Sequence, residues 1–157
     1  MSRSNYIDKA EFVNDFSLKL EEVGHPRIFG QILGWLLICN PRHQSFTDLM
    51  ESLDISKASV SNITRILLEV GLIERVRITG ERQMYFKLKN GALTEFMDKQ
   101  IKHIIEVKTI LDKGLQLVKD NEEDDIARLE KASDFYAFLT SELPGLIDRF
   151  NNLQNDH

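Results

Sequence analysis

The sequence predicts a mainly α chain with one small β-hairpin (α+β). Three observations carry that reading. Only three prolines and eight glycines punctuate 157 residues, so helices can run long. Along most of the chain apolar residues recur every three or four positions, the spacing that lines one face of an α-helix. One stretch breaks the rhythm: Glu74/Val76/Ile78 and Met84/Phe86/Leu88 alternate on either side of a glycine-containing loop, which is the pattern of a hairpin.

The elements follow in order. Residues 6–23 place Ile7, Ala10, Val13, Phe16, Leu20 and Val23 at helical spacing, with Phe12 beside Val13, and Gly24-His25-Pro26 stops that helix. A second helix, about 27–39, is apolar nearly all round, from Ile28 and Phe29 through Trp35 to Ile38. A helix with almost no polar face belongs at the centre of a core. Asn40-Pro41 ends it. Ser45 then caps a short helix, 46–53, and Asp48 three residues on makes a near capping box. After a tight Asp54-Ile55 turn, Ser56 caps a longer helix, 56–71, that ends at Gly71, a fitting residue just past a helix end. The strands are Leu72–Ile78 and Gln83–Leu88, joined by Thr79-Gly80-Glu81-Arg82. Asn90-Gly91 breaks the chain, and a long helix covers 92–119. The acidic stretch 121–125 opens a last helical region, since acids suit the positive end of a helix dipole. Pro144-Gly145 is expected to interrupt that region before Ile147 and Phe150. Helix, helix, tight turn, helix, hairpin is the order of a winged helix-turn-helix with N- and C-terminal dimerisation helices. The expected division is 1–25, an N-terminal dimerisation helix; 26–90, the winged head; and 91–157, linker and C-terminal dimerisation helices.

Composition sets bounds. With 42% hydrophobic and 29% charged residues, the chain reads as globular rather than disordered. The single cysteine excludes an intramolecular disulfide and a cysteine-built zinc site. The longest apolar run, within Ile32–Cys39, falls far short of the ~20 residues of a membrane span, and Met1 to Ala10 shows no apolar secretory segment. A cytoplasmic chain with no membrane partner is the expectation. Net charge is −5, which by itself disfavours a nucleic-acid partner. The distribution reverses that inference. Between Ile55 and Lys89 lie seven cations (Lys57, Arg65, Arg75, Arg77, Arg82, Lys87, Lys89) and three anions (Glu69, Glu74, Glu81). The remaining thirteen cations and twenty-two anions leave −9 elsewhere. A polyanion responds to the local field, because salt screens charges more than about 8–10 Å away.

The helix at 56–71 is the test of function. Counting about 100° per residue from Lys57, Val60, Ile63, Leu67 and Val70 fall between about 220° and 300°. Lys57, Ala58, Ser61, Asn62 and Arg65 fall between 0° and about 140°. The apolar stripe packs inward. The other has the size and chemistry for a major groove: Arg or Lys for guanine, Asn for adenine, Ser for either, Ala for a thymine methyl. Glu69 lies on that same outer side, at the far end. Ser56 and Ser59, with the free amides of the first turn, can hold a backbone phosphate. Arg75, Arg77 and Arg82 put cations on an exposed ribbon, Arg82 at its tip, where a wing reaches a minor groove.

The stretch LMESLDISKASVSNITRILLEVGLIERVRITGERQMYFKL (49–88) resembles the reading head of the MarR superfamily of bacterial transcription regulators. SKASVS, LLEVGLIER and the GER wing tip, followed by Tyr85 and Phe86, carry the likeness. PRIFGQILGWLLICN (26–40) resembles the branch typified by the betaine-responsive repressor of glycine betaine synthesis genes. The specific part covers about 26–89; the flanking helices agree in outline. The resemblance implies a homodimer, built from N- and C-terminal helices, on the double-stranded DNA of a pseudo-palindromic operator, acting as a repressor. An effector lodged between head and linker helix would change half-site spacing; its identity is not legible. In the superfamily the wing often carries an Asp two residues before an Arg. Here Glu81 directly precedes Arg82, so that brace is not expected.

Other readings compete. Helix-turn-helix units also serve as protein-interaction modules that never touch DNA. Some superfamily members sense oxidants through one cysteine, which singles out Cys39; buried packing at the end of an apolar helix is the preferred account. In a branch that answers to a quaternary amine, Trp35 invites an aromatic cage, though a core tryptophan is preferred. No enzyme is expected: the four histidines are scattered, no phosphate-cradling glycine loop occurs, and no cofactor or metal is implied. Phe12, Phe16, Phe135, Phe138 and Phe150 exceed what a small head can bury, so a dimer interface of helices is expected to take them.

Overall fold

The structure, a computed structural model, describes the backbone of residues 3–119 and 123–155 and the side chains of 8–119 and 126–155. The side chains of Ile7 and of the acidic stretch 121–125, and all of His157, lie outside those described. Helices α1 (Arg3–Glu22) and α2 (Arg27–Ile38) are followed by β1 (Gln44–Ser45), α3 (Phe46–Leu53), α4 (Lys57–Glu69), β2 (Ile73–Arg77), β3 (Met84–Leu88), α5 (Ala92–Val118) and α6 (Glu123–Asn155). The chain divides into two compact units, Met1–Ala92 and Leu93–His157. The first therefore joins α1 to the head.

In the first unit α2 is the hub, as its all-round apolarity requires. Phe29, Ile32, Leu33 and Leu36 are buried, and α2 packs against α1, α3, α4 and β3. The approach to α1 is close because two glycines permit it. A Cβ built on Gly30 would stand 2.6 Å from the Ser17 Cα, and one on Gly34 would stand 3.0 Å from Phe16 Cδ1. Ser17 is fully buried and its hydroxyl bonds back to the Asn14 carbonyl at 2.8 Å. Phe16 thus seats against Gly34, half-buried, and stacks on Phe12 at 5.8 Å.

The capping box forms in full: Asp48 N–H donates to Ser45 Oγ (3.1 Å) and Ser45 N–H to Asp48 Oδ2 (2.7 Å). Asp54 takes a left-handed conformation, φ 51°, to make the tight turn, and Ile55 N–H reaches back to the Met50 carbonyl. Ser56 caps α4 through the Ser59 amide, and Gly71, φ +79°, follows its end.

Two sequence expectations are corrected. The sheet has three strands, in the order β1-β3-β2, all antiparallel; Gln44 pairs with Phe86 and Ser45 with Tyr85. Two residues are too few to show alternation. Here Gln44 is held instead by side-chain bonds, accepting from Trp35 Nε1 (2.9 Å) and donating to the Pro41 and His43 carbonyls. The second correction concerns Pro144, which does not interrupt the last helix: α6 runs 33 residues through it. The ring's fixed φ is helical, but the proline forfeits its own N–H bond to the Thr140 carbonyl and its ring crowds that carbonyl, a local cost of about 3 kcal/mol that the rest of α6 absorbs. The turn ahead of it also binds Thr140 Oγ1 to Ala137 O (2.9 Å) and Ser141 Oγ to Phe138 O (2.8 Å).

In the second unit α5 and α6 meet where Gly114 faces Leu129 (3.1 Å from an added Cβ) and Ser133 Oγ donates to Asp112 Oδ1 at 2.9 Å. Lys108 Nζ bonds both Asp112 oxygens at 2.6 Å, and these bonds, with that from Ser133, hold the carboxyl below the ordinary range.

Replacing Gly30 tests the α1–α2 contact. Gly30→Val forces backbone apart and is expected to lower unfolding free energy by about 1–3 kcal/mol. Urea titration followed by circular dichroism reads this out, and an unchanged midpoint would refute the close approach.

Candidate nucleic-acid interface

Helix α4 divides as its sequence periodicity demands. Val60, Ile63, Thr64 and Leu67 are buried, between 0 and 4% exposed. Lys57, Ala58, Ser61, Asn62 and Arg65 are all exposed. Thr64 is the polar residue on the inner side, and its hydroxyl is satisfied by the Val60 carbonyl at 2.7 Å. That i→i−4 bond is a common way for threonine to enter a core, and the apolar count passed over it. Val70 is only half-buried.

The outer face is pre-arranged. Arg65 Nη2 donates to Asn62 Oδ1 at 2.9 Å, and Arg65 Nη1 pairs with Glu69 Oε1 at 3.2 Å. Glu69, a charge of the wrong sign for DNA, thus spreads and steadies the guanidinium. With both side chains about 62% exposed the pair contributes little stability; its effect is on orientation. At the N-terminus of α4, Ser56 Oγ accepts from the Ser59 amide (3.1 Å) and lies 2.9 Å from Ser59 Oγ. Ser56 is exposed, Ser59 half-buried. The two hydroxyls cap each other and the helix, so a phosphate there would meet the leading amides of Lys57 and Ala58 rather than an uncommitted serine.

On the ribbon, Arg75 and Arg77 share one face two residues apart and are exposed, as is Arg82 at the tip. Glu74 pairs with Lys87 across the strands at 3.2 Å rather than with Arg75. The tip is a turn closed by Glu81 N–H to the Ile78 carbonyl (3.0 Å), with Gly80 at φ +89°. No Asp-to-Arg brace forms. Instead the Tyr85 hydroxyl donates to the Glu81 carboxylate and accepts from Gln83 Nε2 at 2.6 Å. Sequence inspection missed this contact. Residues 81 and 83 lie in the turn ahead of β3, so strand periodicity gave no signal for it.

Trp35 and Cys39 lie apart from this surface. Trp35 is half-buried with its indole N–H on Gln44. It borders a cavity of about 170 Å³ with Val13, Asn14, Gln31, Ser52 and Leu53, and it is the sole aromatic among the described lining residues. Among the described residues no aromatic cage is assembled there. Cys39 is buried, its thiol directed at the Leu36 carbonyl, and burial pushes its pKa up to about 11. A reactive thiol needs the opposite shift. Among the described residues no group of histidines, cysteines and carboxylates could hold a metal ion, and no helix is long and apolar enough to cross a membrane.

A two-faced helix behind a tight turn, followed by a cation-bearing ribbon, defines a winged helix-turn-helix of the DNA-reading kind. Comparison with known proteins gives the family. Residues 91–153 match the MmpR5-like MarR family of transcriptional regulators. Over 144 residues the chain is 30% identical to the HTH-type transcriptional regulator MmpR5 of Mycobacterium tuberculosis, covering 92% of this chain and 87% of that one. A crystal structure of a transcriptional regulator superposes with a TM-score of 0.78 at 30% identity, covering 92% of this chain and 99% of the other. The chain belongs to the MarR family of helix-turn-helix transcriptional regulators. It is a DNA-binding regulator of transcription and not an enzyme.

The Cys39 thiol should behave as an inert core group. At pH 7 about one molecule in ten thousand carries the thiolate. Disulfide-exchange labelling of the folded protein is expected to be slow, to quicken as pH rises toward 11, and to become complete on unfolding. Rapid labelling at pH 7 would restore the thiol-sensor reading.

Proposed function

We propose that the protein works as a homodimeric repressor in the cytoplasm. Each protomer lays α4 in the major groove of one half of a pseudo-palindromic operator, about one helical turn from its twin. The tip, residues 78–83, enters the adjoining minor groove with Arg82. The observation that carries the reading is the division of α4: Lys57, Ala58, Ser61, Asn62 and Arg65 are exposed on one side while Val60, Ile63 and Leu67 are sealed on the other. Arg75 and Arg77 supply phosphate contacts. The dimer rests on apolar surface that the chain leaves uncovered. Phe135, Phe138, Leu146, Phe150 and Leu153 are 49–62% exposed. At helical spacing they fall within about 120° of one another on α6; in the other unit, Phe12 of α1 is 40% exposed. A stripe of that kind is what a helical partner covers. Placement in the betaine-responsive branch rests on residues 26–40 alone, and the family matched is MmpR5-like. With Trp35 uncaged, no quaternary-amine effector is proposed.

Two measurements test the reading. In gel shifts against duplex selected from a random pool, Arg65→Ala is expected to cost about 10–100-fold in affinity and to relax preference at one base pair. Arg82→Ala is expected to weaken binding with a smaller change in sequence preference and to lower the salt slope by about one. Unaltered binding by Arg65→Ala, or no shift by the wild type at low salt, would favour a protein-interaction module. For assembly, the pair Phe138→Asp with Phe150→Asp is expected to halve the mass in sedimentation while leaving helix content intact. A wild-type monomer at micromolar concentration would defeat the dimer.

A further inference from the structure

We propose that Tyr85 is the positioning residue of the wing: its hydroxyl ties down Glu81 and Gln83, the two neighbours of Arg82, and so holds that guanidinium at the tip in a DNA-ready pose. The inference rests on the reading above, in which the tip meets the minor groove.

The turn has little else to hold it. Thr79, Gly80, Glu81, Arg82 and Gln83 are all exposed. One backbone bond closes it, from Glu81 N–H to the Ile78 carbonyl, and a Cβ built on Gly80 would meet nothing within 4 Å. A turn so lightly anchored samples many conformations, and each would have to be surrendered on binding. Tyr85 is the reverse. It sits on the central strand, paired to Ser45 on one side and Val76 on the other, and is 6% exposed. Its ring meets His43 edge-on at 5.1 Å. Its hydroxyl emerges at the base of the turn, donating to the Glu81 carboxylate and accepting from Gln83 Nε2. The residues before and after Arg82 are therefore both tied to one rigid atom. The arrangement also engages the carboxylate of Glu81, which would otherwise stand beside Arg82 as a competing partner at the DNA surface.

The test uses the full-length protein and a duplex selected from a random pool. Tyr85→Phe keeps the ring and removes the hydroxyl. It is expected to weaken binding about as much as Arg82→Ala, roughly fivefold to twentyfold, with an unchanged thermal midpoint. The double variant with Arg82→Ala is expected to bind no worse than Arg82→Ala alone, whereas the double with Arg65→Ala is expected to show the product of the two losses. Amide exchange at 79–83 should quicken in Tyr85→Phe. Glu81→Gln and Glu81→Ala, equal in charge and exposed at the tip, separate the bond from electrostatics: of the two, the alanine variant should bind DNA more weakly. That pair decides the matter if Tyr85→Phe is unstable. Wild-type affinity in Tyr85→Phe, or equal affinity in the two Glu81 variants, overturns the proposal while leaving the functional reading intact. Independent losses from Tyr85→Phe and Arg82→Ala overturn it in the same way. A silent Arg82→Ala beside a damaging Arg65→Ala overturns it together with the minor-groove assignment.

Discussion

The structure depends on one constraint: the inner stripe of α4 can be buried in only one rotational setting. Val60, Ile63 and Leu67 lie within about 60° of arc, and sealing them against the α2 core leaves no freedom in what faces outward. Rotating the helix by a third of a turn would bury Lys57 or Arg65 without a partner, at a cost far above any gain in packing. The pattern of exposed groups is therefore a by-product of core formation. The hydroxyl of Thr64 sharpens it, because its bond to the Val60 carbonyl lets a polar residue sit on the inner side without pulling the helix round.

Around that fixed helix the exposed face gains order through bonds within α4 and its cap and one pair across the hairpin. Arg65 is spread between Asn62 and Glu69, one turn on either side. Ser56 and Ser59 close the N-terminus on themselves. Lys87 is neutralised across the sheet by Glu74, which leaves Arg75 and Arg77 as the exposed cations of β2. An acidic chain thus presents a positive face without becoming a basic protein, consistent with membership of a DNA-binding family.

Much of this was legible in the sequence because it depends on local chemistry. Ser45 with Asp48, Ser56 ahead of a helix, Gly71 behind it and Gly80 in a tight loop each state their role within four residues. The α4 faces follow from the helical period alone. What escaped depends on partners distant in sequence or on tolerance rather than preference. Gly30 and Gly34 look like weak helix residues until Ser17 and Phe16 are placed against them. Gln44 becomes a strand residue only because Phe86 pairs with it and Trp35 satisfies its side chain. Pro144 carries the standard sign of a helix break, yet α6, 33 residues long, continues through it and absorbs both the lost bond and the crowding of the preceding turn. The Tyr85 contact needed the turn to be folded before its spacing acquired meaning.

Ser45 has a double allegiance. Its backbone lies opposite Tyr85 in the sheet, while its hydroxyl and amide start α3 through Asp48. The ribbon and the helix pair are accordingly welded at one residue. The base of the hairpin cannot shift along the sheet without disturbing the start of α3, so a strain applied to one is felt by the other.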